Sequence, residues 1–227
     1  MQPYYQQSGV TIYHGDCRDV MDEWEGLRTH SFDLVLTDPP YGIYACGGKW
    51  GRKSQLSWDR DPVTYITQVR ALGREAIIWG GNYYVLPPSR GWLVWRKPDR
   101  VPSAADVELA WTSLDINARF FEWTIAATNA ERVGHPTQKP LAVMRWSLSF
   151  APTAQTVIDP FMGSGTTLVA AKRVGKIVTG IEIDERYCEI AAKRLQQDCL
   201  PLSMEEPPSV DAVDPVGLLG EEGSTRA

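Results

Sequence analysis

The sequence predicts an α/β domain built on a doubly wound, mostly parallel β-sheet. Three observations lead there. Short, nearly continuous apolar runs recur along the chain, segments of helical periodicity separate many of them, and the glycine- and proline-bearing motifs fall where those runs stop. A chain of 227 residues is long enough for one well-buried domain of this kind and too short for two comfortable ones. Residues 1–197 are expected to form that domain and residues 198–227 an acidic, disordered tail.

The elements follow in order. Val10 to His14 alternates like a strand and ends at Gly15-Asp16, and Cys17 to Trp24 has the spacing of a brief helix. Phe32 to Thr37 is an apolar run that stops at Asp38-Pro39-Pro40-Tyr41, as a buried parallel strand does where prolines end the ladder. From 42 to 61 there is no periodicity, only glycines, bases and tryptophans, which predicts a long, mobile loop. Val63 to Gly73 then reads as a helix, and Glu75 to Trp79 as a strand that turns at Gly80-Gly81-Asn82. Three aromatic and β-branched stretches, Trp92 to Trp95, Val107 to Trp111 and Phe120 to Ile125, predict strands. Leu141 to Phe150 is a helix with Pro140 before its first turn, Thr156 to Ile158 a strand, and Thr166 to Val174 a helix. Lys176 to Ile183 and the amphipathic Glu185 to Gln197 complete the domain.

Bulk properties narrow the function. No run reaches the ~18 apolar residues of a membrane span, and MQPYYQQSGV lacks the charged-then-apolar pattern of an export signal. Cys17, Cys46, Cys188 and Cys199 show no CxxC spacing, and His14, His30 and His135 show no ligand spacing, so neither a disulfide framework nor a metal site is indicated. A reducing cytoplasm fits. A net charge of −5 by itself argues against nucleic acid, but residues 198–227 contribute −6, leaving +1 for the first 197. Position then matters more than total. Lys49, Arg52, Lys53 and Arg60 form one basic group and Arg90, Arg96, Lys97 and Arg100 another; each reads equally well as solvated surface charge.

Two motifs carry chemistry. Asp159-Pro160-Phe161-Met162-Gly163-Ser164-Gly165-Thr166-Thr167 runs from a strand through a glycine turn into a helix N-terminus, where backbone N–H groups approach a ligand closely. No lysine follows Gly165 as a phosphate loop requires, and Leu168 stands where a dinucleotide motif has its third glycine. Glu182, 17 residues beyond Gly165 at the end of the next strand, is placed to accept both hydroxyls of a ribose. A nucleoside-bearing cofactor without a pyrophosphate is therefore predicted. The second motif, Asp38-Pro39-Pro40-Tyr41, suits a different task. An exocyclic amino group is a poor nucleophile because its lone pair is delocalised, and acceptors placed at its hydrogens pull it towards tetrahedral geometry. Asp38 and the Pro39 carbonyl are such acceptors, Pro40 stiffens the turn, and Tyr41 offers a flat face to a base swung out of a duplex.

Together with His135-Pro136-Thr137-Gln138-Lys139-Pro140, these motifs make the chain resemble the amino-methylating DNA methyltransferases, with DPPY ahead of the glycine motif as in their permuted β group. The matching pieces run from about Val10 to Leu195. The resemblance implies a Rossmann-like sheet, S-adenosylmethionine as cofactor, double-stranded DNA as partner and transfer to an amino nitrogen. It implies that Asp159, Phe161, Gly163, Ser164, Gly165, Thr166, Thr137 and Lys139 hold the methionine part, with Thr37, Pro160 and Thr167 also at the cofactor and His135 shaping its loop. It further implies that Asp16 contacts the cofactor's adenine while Glu182 takes the ribose, with Cys17 and Ile183 also at the cofactor. Lys139 would pair with the cofactor's carboxylate. Asp38 favours adenine-N6, because cytosine-N4 members more often begin the tetrad with serine. Lys49, Arg52 and Lys53 would meet phosphates. Where members often carry a large recognition insertion, residues 99–134 offer only short stretches, so either the DNA site is short or a second copy in a homodimer helps to read it. Methylation of RNA or of protein, and a non-catalytic nucleotide-binding module, remain alternatives.

Overall fold

The computed structural model describes residues 2–23, 29–42, 63–99, 105–135 and 137–197. The expected loop with Lys49, Arg52 and Lys53, residues 100–104 of the recognition stretch, and the tail from 198 lie outside the described residues.

Phe32–Thr37 (β3) sits at the centre of the sheet because nothing along it needs water: Leu34, Val35 and Leu36 are fully buried. Leu34 and Leu36 face one hydrophobic cluster and Val35 the other, as the two-residue strand period requires. β3 pairs in parallel with Gly73–Trp79 (β4) on one side and with Thr156–Asp159 (β8) on the other. Beyond β8 come Ile177–Glu182 (β9) and Val10–His14 (β2), again parallel, and then Tyr5–Gln7 (β1), antiparallel. Beyond β4 lie Val107–Thr112 (β6), antiparallel, then Trp92–Arg96 (β5), with Arg119–Glu122 (β7) parallel to β5 at the edge. The full order is β1-β2-β9-β8-β3-β4-β6-β5-β7.

Helices cover both faces. Cys17–Glu23 (α1) and Ile66–Ala71 (α2) place Val20, Ile66 and Val69 in one cluster. Leu141–Ser149 (α4), Thr166–Arg173 (α5) and Glu185–Gln197 (α6) place Met144, Leu168 and Leu195 in the other. This is the doubly wound α/β architecture that the alternating pattern predicts. From β3 the chain moves outward through β4, whereas from β8 it moves the opposite way through β9, so the β3–β8 boundary is a switch point where ligands bind beyond the strand ends. Asp38 follows β3 and Asp159 ends β8.

Three local expectations are corrected. Strand Phe120 to Ile125 is shorter: β7 stops at Glu122, and Ile125–Ala130 (α3) is a helix. Thr124 caps it, accepting from the Ala127 N–H at 3.1 Å, and the Asp99 carboxylate accepts from the N–H groups of Ile125 and Ala126. The helix expected from Val63 covers only Ile66–Ala71, because residues from Gly73 onward are drawn into the ladder against β3. β1 is an addition, folded back on β2 through Ser8 and Gly9, both at positive φ.

Candidate active site

The β3–β8 switch point brings the two motifs into contact. The Thr37 hydroxyl donates to Asp159 Oδ1 at 2.7 Å, and the Phe161 N–H donates to the same oxygen at 3.1 Å. Burial lifts the Asp159 carboxyl to about 6, against the pull of hydrogen bonds from Thr167 and Thr37. Above this joint lies a cavity of about 900 Å³. Its walls carry Asp38, Tyr41 and Lys139 at one end and Asp16, Phe161, Gly163 and Glu182 at the other.

The glycine turn forms one wall. Gly163 and Gly165 both adopt left-handed backbone, at φ 50° and 79°. A Cβ on Gly163 would come within 3.0 Å of His135 Nε2, and one on Gly165 within 2.7 Å of Ala191 Cβ on α6. Gly165→Ala therefore combines left-handed strain with overpacking, an expected loss on the order of 2–4 kcal/mol. The corresponding fall in thermal midpoint is roughly 5–15 °C; a calorimetric melt superimposable on that of the parent would refute this account of the turn. Arg194 of α6 braces the turn from behind, donating to the Ser164 carbonyl at 2.6 Å. Glu182 closes it, its two carboxylate oxygens accepting from the N–H groups of Gly163 at 2.9 Å and Asp184 at 2.8 Å. Burial raises the Glu182 pKa, opposed by these same backbone bonds.

Around the rest of this end, the Asp16 carboxylate accepts from the Arg18 backbone N–H at 2.9 Å and from the guanidinium of the same residue. The thiol of Cys17 meets the Tyr65 hydroxyl at 3.3 Å, and Tyr65 leans on Phe161 with ring centres 6.3 Å apart. His135 packs its ring 4.5 Å from Tyr187. Burial, with the nearby charges of Lys139, Arg132 and Arg186, lowers its pKa to about 4, so it is neutral at neutral pH. Pro160, Ser164, Thr166, Thr167, Thr137 and Ile183 also line the cavity.

The other end is a buried charge cluster. Asp38 Oδ1 accepts from the Tyr41 hydroxyl at 2.5 Å, and Oδ2 accepts from Lys139 Nζ at 2.6 Å. The same ammonium lies 3.0 Å from Glu108 Oε2, and Lys97 Nζ lies 2.5 Å from Glu108 Oε1. Two acids and two bases thus alternate. Burial alone would lower Lys139, but the carboxylates of Asp38 and Glu108 carry its pKa well above the ordinary value. For Glu108, Lys139 and Lys97 outweigh burial and bring the pKa down. Burial keeps Asp38 raised despite the adjacent ammonium, partly because Glu108 opposes that ammonium. The arrangement is ionic: Lys139 is a cation held between two carboxylates. The Tyr41 ring stacks on Tyr83 at 4.8 Å, and the Tyr84 hydroxyl reaches the carbonyls of Pro39 at 3.1 Å and Pro40 at 2.7 Å.

Two residues expected at the cofactor lie behind the wall instead. Thr37 is fully buried, its hydroxyl spent on Asp159, and Gly165 packs on Ala191. Lys139, expected to meet a cofactor carboxylate, is directed at Asp38 and Glu108. Glu108 and Arg194 were not predicted, and Lys97, read only as one member of a basic group, is brought into the charge cluster. Among the described residues no cluster of potential metal ligands occurs and no helix is long and apolar enough to cross a membrane.

Comparison with known proteins finds relatives of one kind. A family model described as DNA methylase, of the N6/N4 type, matches residues 113–193. The type II methyltransferase M.ScaI of Streptomyces caespitosus is 26% identical, over 88% of this chain and 86% of that protein. M2.DpnII of Streptococcus pneumoniae is 24% identical over 87% of this chain and 93% of its own. Among solved structures, the M1.HpyAVI–SAM complex superposes with a TM-score of 0.58 at 24% identity, covering 82% of this chain and 98% of that one. PvuII DNA methyltransferase, named as cytosine-N4-specific, gives 0.56 at 17% identity, covering 90% and 91%. These structural likenesses concern the fold. Over residues 113–193, and in its curated relatives along most of its length, the chain is thus similar to DNA methylases of the N6/N4 type.

Proposed function

We propose that this protein transfers a methyl group from S-adenosylmethionine to the N6 amino group of an adenine in double-stranded DNA. The observation that carries the reading is that Asp38 and the Gly163 turn line one cavity. The residues suit the cofactor. Gly163 leaves open a place that a Cβ would fill, and Glu182 is held by two backbone N–H groups with lone pairs left for ribose hydroxyls. When bound, S-adenosylmethionine supplies an electrophilic methyl on a sulfonium. Glu182→Ala removes charged hydrogen bonds of about 1.5–3 kcal/mol in total, so titration calorimetry should show the cofactor's Kd raised by roughly 10–150-fold. An unchanged Kd would remove Glu182 from the site.

At the other end the chain's own groups prepare the nucleophile. Each Asp38 oxygen already accepts one hydrogen bond and keeps capacity for another, so the carboxylate, with the Pro39 carbonyl, can take the two amino hydrogens. A base stacked on Tyr41 takes the place that the Tyr83 ring now holds. Bound S-adenosylmethionine would supply its methyl carbon to that nitrogen by direct displacement, the carbon–sulfur electron pair leaving on sulfur. The methylated nitrogen then carries a positive charge, and its proton passes to Asp38 and on to solvent. Incubation with tritiated methyl donor and unmethylated duplex tests this: label in the duplex supports it, and label only in RNA or protein added alongside overturns it.

A further inference from the structure

Resting on that reading, we infer that Glu108 is a positioning residue for the transfer: it offsets the charge of Lys139 and so leaves Asp38 a strong acceptor. The geometry carries this. The Lys139 ammonium, only 6% exposed, is placed against Asp38 at 2.6 Å and Glu108 at 3.0 Å. Without Glu108, Asp38 would face an uncancelled cation, and a carboxylate so neutralised is a weaker base and a weaker partner for an amino hydrogen. Glu108 is itself moderated. Lys97, 9% exposed and lying 4.6 Å above the Trp95 ring, takes its second oxygen. Glu108 lies in β6 and Lys97 directly follows β5, the antiparallel pair that joins the parallel sheet at β4 and holds the relay beneath DPPY. Glu108 touches neither donor nor acceptor in this scheme and acts through Lys139.

The relay makes two variants respond in opposite directions. Groups facing Asp38 are Tyr41 from its own loop, Lys139 from the segment before α4, Glu108 from β6 and Asp159 at the end of β8. Glu108→Gln removes a negative charge that raises the Asp38 pKa, so the acidic limb of the pH–rate profile moves to lower pH. The plateau rate of single-turnover transfer falls roughly tenfold or more. Lys97→Met leaves Glu108 less compensated, and the limb moves to higher pH. Asp159, near 6, and His135, near 4, are shifted by groups other than Glu108 and Lys97, whereas Glu108 acts directly on Asp38, so opposed limb shifts report on Asp38. The measurement is single-turnover transfer to duplex DNA from pH 5 to 9, with cofactor Kd recorded alongside. Opposed limb shifts at a Kd within about twofold of the parent establish the relay. Unshifted limbs, shifts of the same sign, or loss of cofactor binding together with rate overturn it. A parent protein that transfers no methyl group to DNA refutes the underlying reading instead, so the two failures are distinguishable. Should Glu108→Gln not fold, Lys97→Met alone still decides: a limb that stays or falls contradicts the inference.

Discussion

Asp38→Ala should lower the rate of methyl transfer by roughly 10²–10⁴-fold, the span seen when a positioned base or charge-stabilising group is removed. The cofactor's Kd should change by less than about threefold, under 1 kcal/mol. The division follows from the site. Asp38 contacts Tyr41 and Lys139, whereas Glu182, Gly163 and Asp16 lie at the other end of the cavity. Lys139 keeps Glu108 as a partner when Asp38 is gone, so the variant is expected to fold. Single-turnover rates and titration calorimetry on the same preparation check both halves. Loss of rate and binding together, or of neither, would contradict the role assigned to this carboxylate.

Lys139→Met should have the largest effect on stability. It removes the one cation shared by Asp38 and Glu108 and leaves two largely buried carboxylates close together, with Lys97 on Glu108 alone. Breaking such a pair by deleting one partner costs about 3–5 kcal/mol. The sign with pH is fixed by the same geometry. Without the ammonium, both carboxylates have folded-state pKa values above their unfolded ones. The variant is then least handicapped below the unfolded carboxylate value near ~4, and loses stability as pH rises through the folded values. Urea denaturation at pH 5 and pH 7.5 should show the gap between parent and variant widening at the higher pH. A gap that stays constant or narrows would mean that Lys139 is not the counter-ion of this cluster.

Much of this was legible in the chain because it was written locally. A strand that ends at DPPY, a glycine turn that opens a helix, and Glu182 at the next strand end are features of adjacent residues, and their places at the sheet edge follow from the fold class. The charge relay was not legible. Glu108 stands in a strand among apolar and aromatic neighbours, and Lys97 just after another, where each reads as an outward-facing surface charge. Only the pairing of β6 with β4 carries them beneath a loop that is distant in sequence. Lys139 shows the same limit: its motif places it near the site, but not which carboxylate claims it. Helix α3 was different, since Thr124 ahead of Ile125-Ala126-Ala127 is a readable cap that the aromatic run before it obscured.

The central claim is that one cavity joins a methyl donor to a base's amino group. Its most direct test is to incubate the protein with unmethylated duplex DNA and S-adenosylmethionine, digest the product to nucleosides and identify the modified one by mass. The account predicts N6-methyladenine. N4-methylcytosine would keep the chemistry but contradict the adenine assignment, and no methylated nucleoside would contradict the claim itself.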